Sequence, residues 1–115
     1  MIMLYITDHI WSVLKKRRLY DVSILSITEA EARWIVEQAK KIQWIIFDDT
    51  LNNVLTHKFG RSIRSAKQHI ELGNEDWAIV IDYTGSPLTA TMTHIPEDGC
   101  LRYWLIVVKE YKENV

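Results

Sequence analysis

The chain has 115 residues, 48% of them hydrophobic and 25% charged, which is enough apolar material for one globular core and too little length for two domains. Its formal net charge of −1 excludes a surface built throughout for duplex nucleic acid, because duplex binding needs several Lys or Arg contacts to phosphate. Cys100 is the single cysteine, which excludes an internal disulfide and a cysteine-based zinc site and fits a reducing cytosol.

Met1 to Ile6 is apolar and β-prone, so a first strand is expected at about residues 2–6. Asp8 interrupts this run before a signal-peptide core or a membrane span is complete, and the protein is therefore expected to work in the cytoplasm. Asp8, Trp11 and Ser12 follow the strand end, a place where functional side chains gather. Lys15 to Arg18 is a basic run that reads first as a solvated connection, with phosphates or lipid headgroups as the alternative. Tyr20 to Ile27 is β-branched and reads as a second strand.

Thr28 and Glu31 have capping-box spacing, and a helix is expected from about residue 29 to 42. Ala32, Ile35, Val36, Ala39 and Ile42 give it one apolar face, with Trp34 near the edge of that face and read as core. Trp44 to Gly60 then runs from an apolar strand-like entry into a second helix. Asp48 or Asp49 is suited to be its N-cap, Leu51, Val54 and Leu55 recur at helical spacing, and Gly60 stands where a left-handed C-cap belongs. Backbone N–H groups at such a start suit an anion, which marks Asp48, Asp49 and Thr50 as candidates, but the two acids at the mouth oppose one and an ordinary helix cap is the favoured reading. Arg61, Arg64 and Lys67 form a second basic cluster just beyond.

His69 to Leu72, the turn at residues 73–76 and Trp77 to Tyr83 read as a β-hairpin, whose apolar WAIVI strand belongs in the sheet centre with both faces covered. Thr84 to Gly99 is a long loop holding both prolines, Pro87 and Pro96. Leu101 to Val108 is the last strand, followed by a charged tail. The order ββααβββ predicts one α/β (α+β) domain over residues 1–115, a mixed five-stranded sheet with helices packed on it. Exposed sheet edges in so small a domain favour pairing with a second copy, hence a homodimer. His9, His57, His69 and His94 lack ligand spacing, so neither a metal nor a cofactor is expected.

Four stretches, MLYITD, ITEAEA, FDDTLNNVLTHKFG and IDYTGSPLTATMTHIPEDGCLRYWLIVV, follow one another in an order that resembles the viral anti-CRISPR ring nuclease family of archaeal viruses, phages and plasmids. The resemblance covers nearly the whole chain. It implies a dimer that binds cyclic tetra-adenylate across its two-fold, and in active members cuts it without metal by a histidine, an arginine and a glutamate. Those three positions carry Asp48, Pro87 and Ala90 here, none of which matches. An aspartate beside phosphates is a poor proton donor at neutral pH, and proline and alanine cannot stabilise developing charge.

The favoured expectation is therefore a counter-defence protein that sequesters a cyclic oligonucleotide or related nucleotide signal. Its ligand contacts would come from Asp8, Trp11, Ser12, Asp48, Asp49, Thr50, Arg61, Arg64, Lys67, Tyr83, Thr84 and Gly85. One alternative is a ring nuclease whose missing acid is replaced by a histidine, with His94 in the long loop, His57 and Asp48 as catalytic candidates. The other is a DNA-binding or protein-interaction module using Lys15 to Arg18, which a steep salt dependence would reveal.

Overall fold

A computed structural model describes residues 3–9, 20–60, 72–73 and 75–110. Seven elements follow in order: β1 (Leu4–Thr7), β2 (Tyr20–Ile27), α1 (Glu29–Gln38), β3 (Ile42–Ile45), α2 (Asp49–Phe59), β4 (Trp77–Thr84) and β5 (Cys100–Glu110). The strands form one mixed five-stranded sheet in the order β2-β5-β4-β1-β3, with the two helices falling between β2 and β4 in sequence. β1 runs parallel to both β3 and β4, while β5 is antiparallel to β4 and β2. The α+β class expected from the sequence is the one found.

Its element order, ββαβαββ, differs from the expected one first because a strand separates the two helices. α1 stops at Gln38 instead of continuing to Ile42, with Ala39 extended at φ −72°, ψ 127° as its C-cap. Ile42 to Ile45 then pairs with β1, placing Leu4 opposite Ile42 and Thr7 opposite Ile45. The apolar run that follows Lys41 is better satisfied in the sheet, where Trp44 and Ile45 bury on opposite faces.

The expected hairpin is also replaced. Its turn is present, with Gly73 N–H donating to Asp76 Oδ2 at 3.0 Å and Asp76 N–H donating to Gly73 O at 3.2 Å. Both edges of β4, however, are taken by β1 and β5, and Leu72 is fully buried outside any strand. Residues 69–71 of the expected partner strand lie outside the described residues. WAIVI is central as its composition predicts.

Alternation along the strands divides the core. Leu4, Ile6, Trp44, Ile79, Ile81, Tyr103 and Leu105 face Ala32, Ile35 and Val36 of α1 and Leu51 and Leu55 of α2, so both helices cover one face. Tyr5, Ile45, Ala78 and Ile106 point the other way and cluster with Leu72. β2 is one sheet edge, and Ile24 and Leu25 on it are 52% and 56% exposed. Among the described residues, no helix is long and apolar enough to cross a membrane.

Candidate functional site

Because β1, β3 and β4 are parallel, their carboxyl ends meet at one end of the sheet, where α/β folds commonly hold ligands. Asp8 leaves β1 there, and α2 starts there behind Asp48. Asp48 is the N-cap at φ −85°, ψ 112°, and its Oδ1 accepts from the N–H groups of Thr50 at 2.9 Å and Leu51 at 3.3 Å and from Thr50 Oγ1 at 2.6 Å. Asp8 accepts from the N–H groups of Phe47 at 2.9 Å through one oxygen and of Asp48 at 3.0 Å through the other. The structure thus brings Asp8, Asp48, Asp49 and Thr50 together at one end of the sheet and fills with carboxylates the donors that an incoming anion would use. An anion at this spot would have to displace a charge already bound.

Tyr83, Thr84 and Gly85 lie where the chain leaves β4 for the long loop, and two of them secure its base. Tyr83 OH donates to Ser86 O, while Ser86 donates to Asp98 Oδ2 from its N–H at 3.0 Å and its hydroxyl at 2.5 Å. Burial and then the Asp98 charge hold the Tyr83 phenol above its ordinary range, so it stays a donor at neutral pH. Gly85 has φ 135°, and a Cβ there would come within 2.7 Å of Gly99 Cα, so the crossing of the loop ends needs glycine. Pro87 and Ala90 are both exposed on this loop.

Farther along, the loop folds back over α2. Asn53 Nδ2 donates to Met92 O at 2.6 Å, and this bond carries residues 93–95 to the last turns of the helix. Between them lies a cleft of about 420 Å³ lined by Arg33, Val54, His57, Lys58, His94 and Ile95, with Thr93 beside His94. Two of the catalytic candidates, His57 and His94, therefore share one cavity, 37 residues apart in sequence, while Asp48 sits at the opposite end of α2. His57 Nδ1 lies 3.1 Å from Asn53 O, and since a carbonyl only accepts, Nδ1 carries the hydrogen and Nε2 is left for another partner. His94 Nδ1 lies 2.9 Å from Thr93 Oγ1.

Arg33 and Lys58 make the cleft cationic, and sequence reasoning had singled out neither. Arg33 Nη2 donates to Lys58 O at 2.7 Å and its guanidinium stands 5.3 Å from the centroid of Phe59. Lys58 Nζ reaches Glu29 Oε1 at 2.8 Å, where Tyr103 OH also donates at 3.0 Å. Burial works to raise the Glu29 carboxyl, but the hydrogen bonds from Lys58 and Tyr103 and the charges of Lys58 and Arg33 outweigh it and hold it below its ordinary range. Tyr103 moves the other way, pushed up by burial and then by the Glu29 carboxylate. The local signal differs between the two: Arg33 falls off the apolar stripe of α1, whereas Lys58 continues the helical spacing of Leu51, Val54 and Leu55 and so puts a charge on the apolar stripe of α2.

A second groove, of about 430 Å³, is apolar and lies among Leu25, Ile27, Trp34, Ile35, Trp77 and Leu105. Trp34 is 61% exposed there, which corrects its reading as a core residue. On α1 it stands roughly 100° round from Ile35 and nearly opposite Ala32 and Val36, so the indole is turned out of the core and toward the groove. Trp11, Ser12, Arg61, Arg64 and Lys67 lie outside the described residues, as do Lys15 to Arg18 and His69. Among the described residues, no group of three or more His, Cys, Asp or Glu side chains is arranged to hold a metal ion.

No family model matches the chain, and no curated protein matches it in sequence. In structure it is similar to B116 of Sulfolobus turreted icosahedral virus, with a TM-score of 0.68 over 90% of this chain and 97% of that one. The two are 11% identical, so the likeness is one of fold.

Proposed function

We propose that the protein is a viral or mobile-element counter-defence protein that binds a cyclic oligonucleotide, or a related nucleotide immune signal, and holds it intact between two copies of the chain. The observation that carries this reading is the fold shared, over nearly the whole length of both chains, with a protein of an archaeal virus. That likeness is an analogy of fold, and it agrees with the ring nuclease resemblance seen in the sequence. Holding is favoured over cutting because Asp48 serves as a helix cap and Pro87 and Ala90 are exposed residues without a group to move a proton or meet a phosphoryl oxygen.

The dimer belongs to the same reading. β2 is an eight-residue edge strand with exposed Ile24 and Leu25, and among the described residues it is paired only with β5. Such an edge is a template for a second strand. Arg61, Arg64 and Lys67 are the phosphate contacts in this proposal, each charge-assisted bond contributing about 1.5 to 3 kcal/mol, so Arg64→Ala should weaken binding by roughly tenfold or more.

The test is to mix excess protein with cyclic tetra-adenylate and related rings, remove unbound ligand, heat, and resolve what is released by chromatography. Intact ring recovered from a dimeric protein is the expected outcome. A monomer in light scattering that retains no ring would overturn the reading. Linear products within minutes would replace holding by cleavage, for which the pairing of His57 and His94 in one cleft is the geometry to probe first.

A further inference from the structure

We infer that the cleft between the last turns of α2 and residues 93–95 is a binding site for the phosphate of a small phosphate monoester, about the size of a mononucleotide. The site does not depend on the reading that a ring is held between two copies, since it lies within one copy of the chain and uses none of the contacts assigned to holding; His57 and His94 enter that reading only if the ring is cut. Three observations meet in it.

The first is volume. A cavity of about 420 Å³ lies within the range of small-molecule sites and is much larger than an inorganic ion needs. Its lining combines apolar surface, from Ile95 above the buried Val54, with the polar groups of Arg33, His57, Lys58, Thr93 and His94.

The second is charge. Arg33 and Lys58 bring two cations, and Glu29, which binds Lys58 Nζ at 2.8 Å and lies 3.9 Å from Arg33 Nε, cancels one of them. The remaining fixed charge is enough for a singly charged diester. A monoester, which carries close to two charges at neutral pH, needs one more, and an imidazole is the side chain that can supply it there.

The third is orientation. Bonding of Nδ1 to the Asn53 carbonyl fixes the His57 ring, so that protonation adds its hydrogen at Nε2 and turns that atom from acceptor into donor. His94 is tethered by the adjacent Thr93 hydroxyl, and the segment that carries it is pinned to α2 by Asn53 and Met92. Two imidazoles held on separate elements thus line one cavity together with a guanidinium, the donor types that bind phosphate oxygens. Among the described residues, the titratable and charged groups contributed by the packed elements are Glu29 and Arg33 from α1, His57 and Lys58 from α2, His94 from the loop and, on Glu29, Tyr103 from β5.

The experiment uses the full chain and follows its four histidine rings by NMR, the His57 and His94 signals being assigned by their loss in H57Q and H94Q. Adenosine 5′-monophosphate, inorganic phosphate and the dinucleotide ApA, which has a single diester, are titrated at constant ionic strength. Expected are saturable shifts of the His57 and His94 rings toward the imidazolium position, with adenosine 5′-monophosphate tighter than phosphate and both tighter than ApA. Each glutamine variant should weaken the monophosphate by roughly tenfold, the worth of one charge-assisted bond. Both histidines are exposed, so an unchanged melting temperature in each variant is expected and shows that the loss is local. Unshifted His57 and His94 rings, equal shifts at His9 and His69, or tighter binding of ApA would overturn the assignment.

Discussion

The two ends of α2 handle charge in opposite ways. At the first turn, the N–H groups of Phe47, Asp48, Thr50 and Leu51 end on the carboxylates of Asp8 and Asp48. At the last turn, His57 and Lys58 stand with Arg33 around a cleft closed on its far side by the loop that carries His94. A helix N-terminus attracts anions as a general rule, yet the anion can come from the protein itself. Here the chain supplies it from β1, some forty residues away in sequence, and the cations gather at the other end, where the helix dipole also favours them. The electrostatics of a short helix are thus settled by which neighbours the sheet topology delivers to each end.

Removing what both ends hang from should have the largest effect. Leu55 is fully buried between the sheet and α2, and Leu55→Ala should cost about 2 to 5 kcal/mol, seen as a lower denaturant midpoint. Capping and cleft contacts should then fail together, and loss of only one of them would show that the ends are anchored separately. Asp8→Ala should come next, at about 1.5 to 2 kcal/mol, because two charge-assisted bonds disappear while water can reach the exposed donors. If the N-terminus is closed only by this carboxylate, phosphate should newly shift the amide signals of Phe47 and Asp48 in that variant. Unshifted amides would leave Asp48 as a sufficient block. Asp48→Ala should cost about 1 kcal/mol, the usual worth of an N-cap, with the amides of Thr50 and Leu51 exchanging faster than in the parent.

Much of the N-terminal end was legible in the sequence because its chemistry is local. The capping box of Thr28 and Glu31, the Asp48 cap and the left-handed Gly60 at φ 64° each depend on residues a few positions apart. Sheet class was legible too, since WAIVI and WLIVV are apolar on both faces. Strand order was not. Ile42 continues the helical spacing of α1, and only the pairing of β3 with β1 shows that it belongs to the sheet. The parallel pairing of β4 with β1 likewise cannot be seen in a stretch that reads as a hairpin. At the cationic end, His57 and His94 were each visible as reactive side chains, but their meeting rests on the Asn53 to Met92 bond between distant segments. Arg33 looked like an ordinary exposed charge and Lys58 like a charge on an apolar stripe, and only their approach to Glu29 and the cavity gives them a role.

Glu29 supplies the smallest and most discriminating change, because it is the anion inside the cationic end. Its carboxyl is held below the ordinary range in the folded chain, against the effect of burial, chiefly by Lys58 and Tyr103. A group lowered on folding contributes stability above its unfolded value, near 4.5, and that contribution fades as pH falls through the folded value. The parent should therefore lose stability on acidification below about pH 4.5, and Glu29→Gln, which keeps an oxygen for Tyr103 but no charge, should lack that share of the slope. With the Glu29 side chain 40% exposed, solvent screening limits the share to under about 1 kcal/mol. The same substitution releases Lys58 from its partner and leaves the cleft with one more uncompensated positive charge. Binding of adenosine 5′-monophosphate should then tighten by about two- to threefold, a small gain because the freed lysine is itself part exposed. An acid slope equal to the parent's would place that titration on another carboxylate. A monophosphate affinity that falls in Glu29→Gln would mean that the carboxylate positions Lys58 for the ligand instead of opposing it, and a double variant with Lys58→Gln, by then losing nothing further, would show which of the two it does.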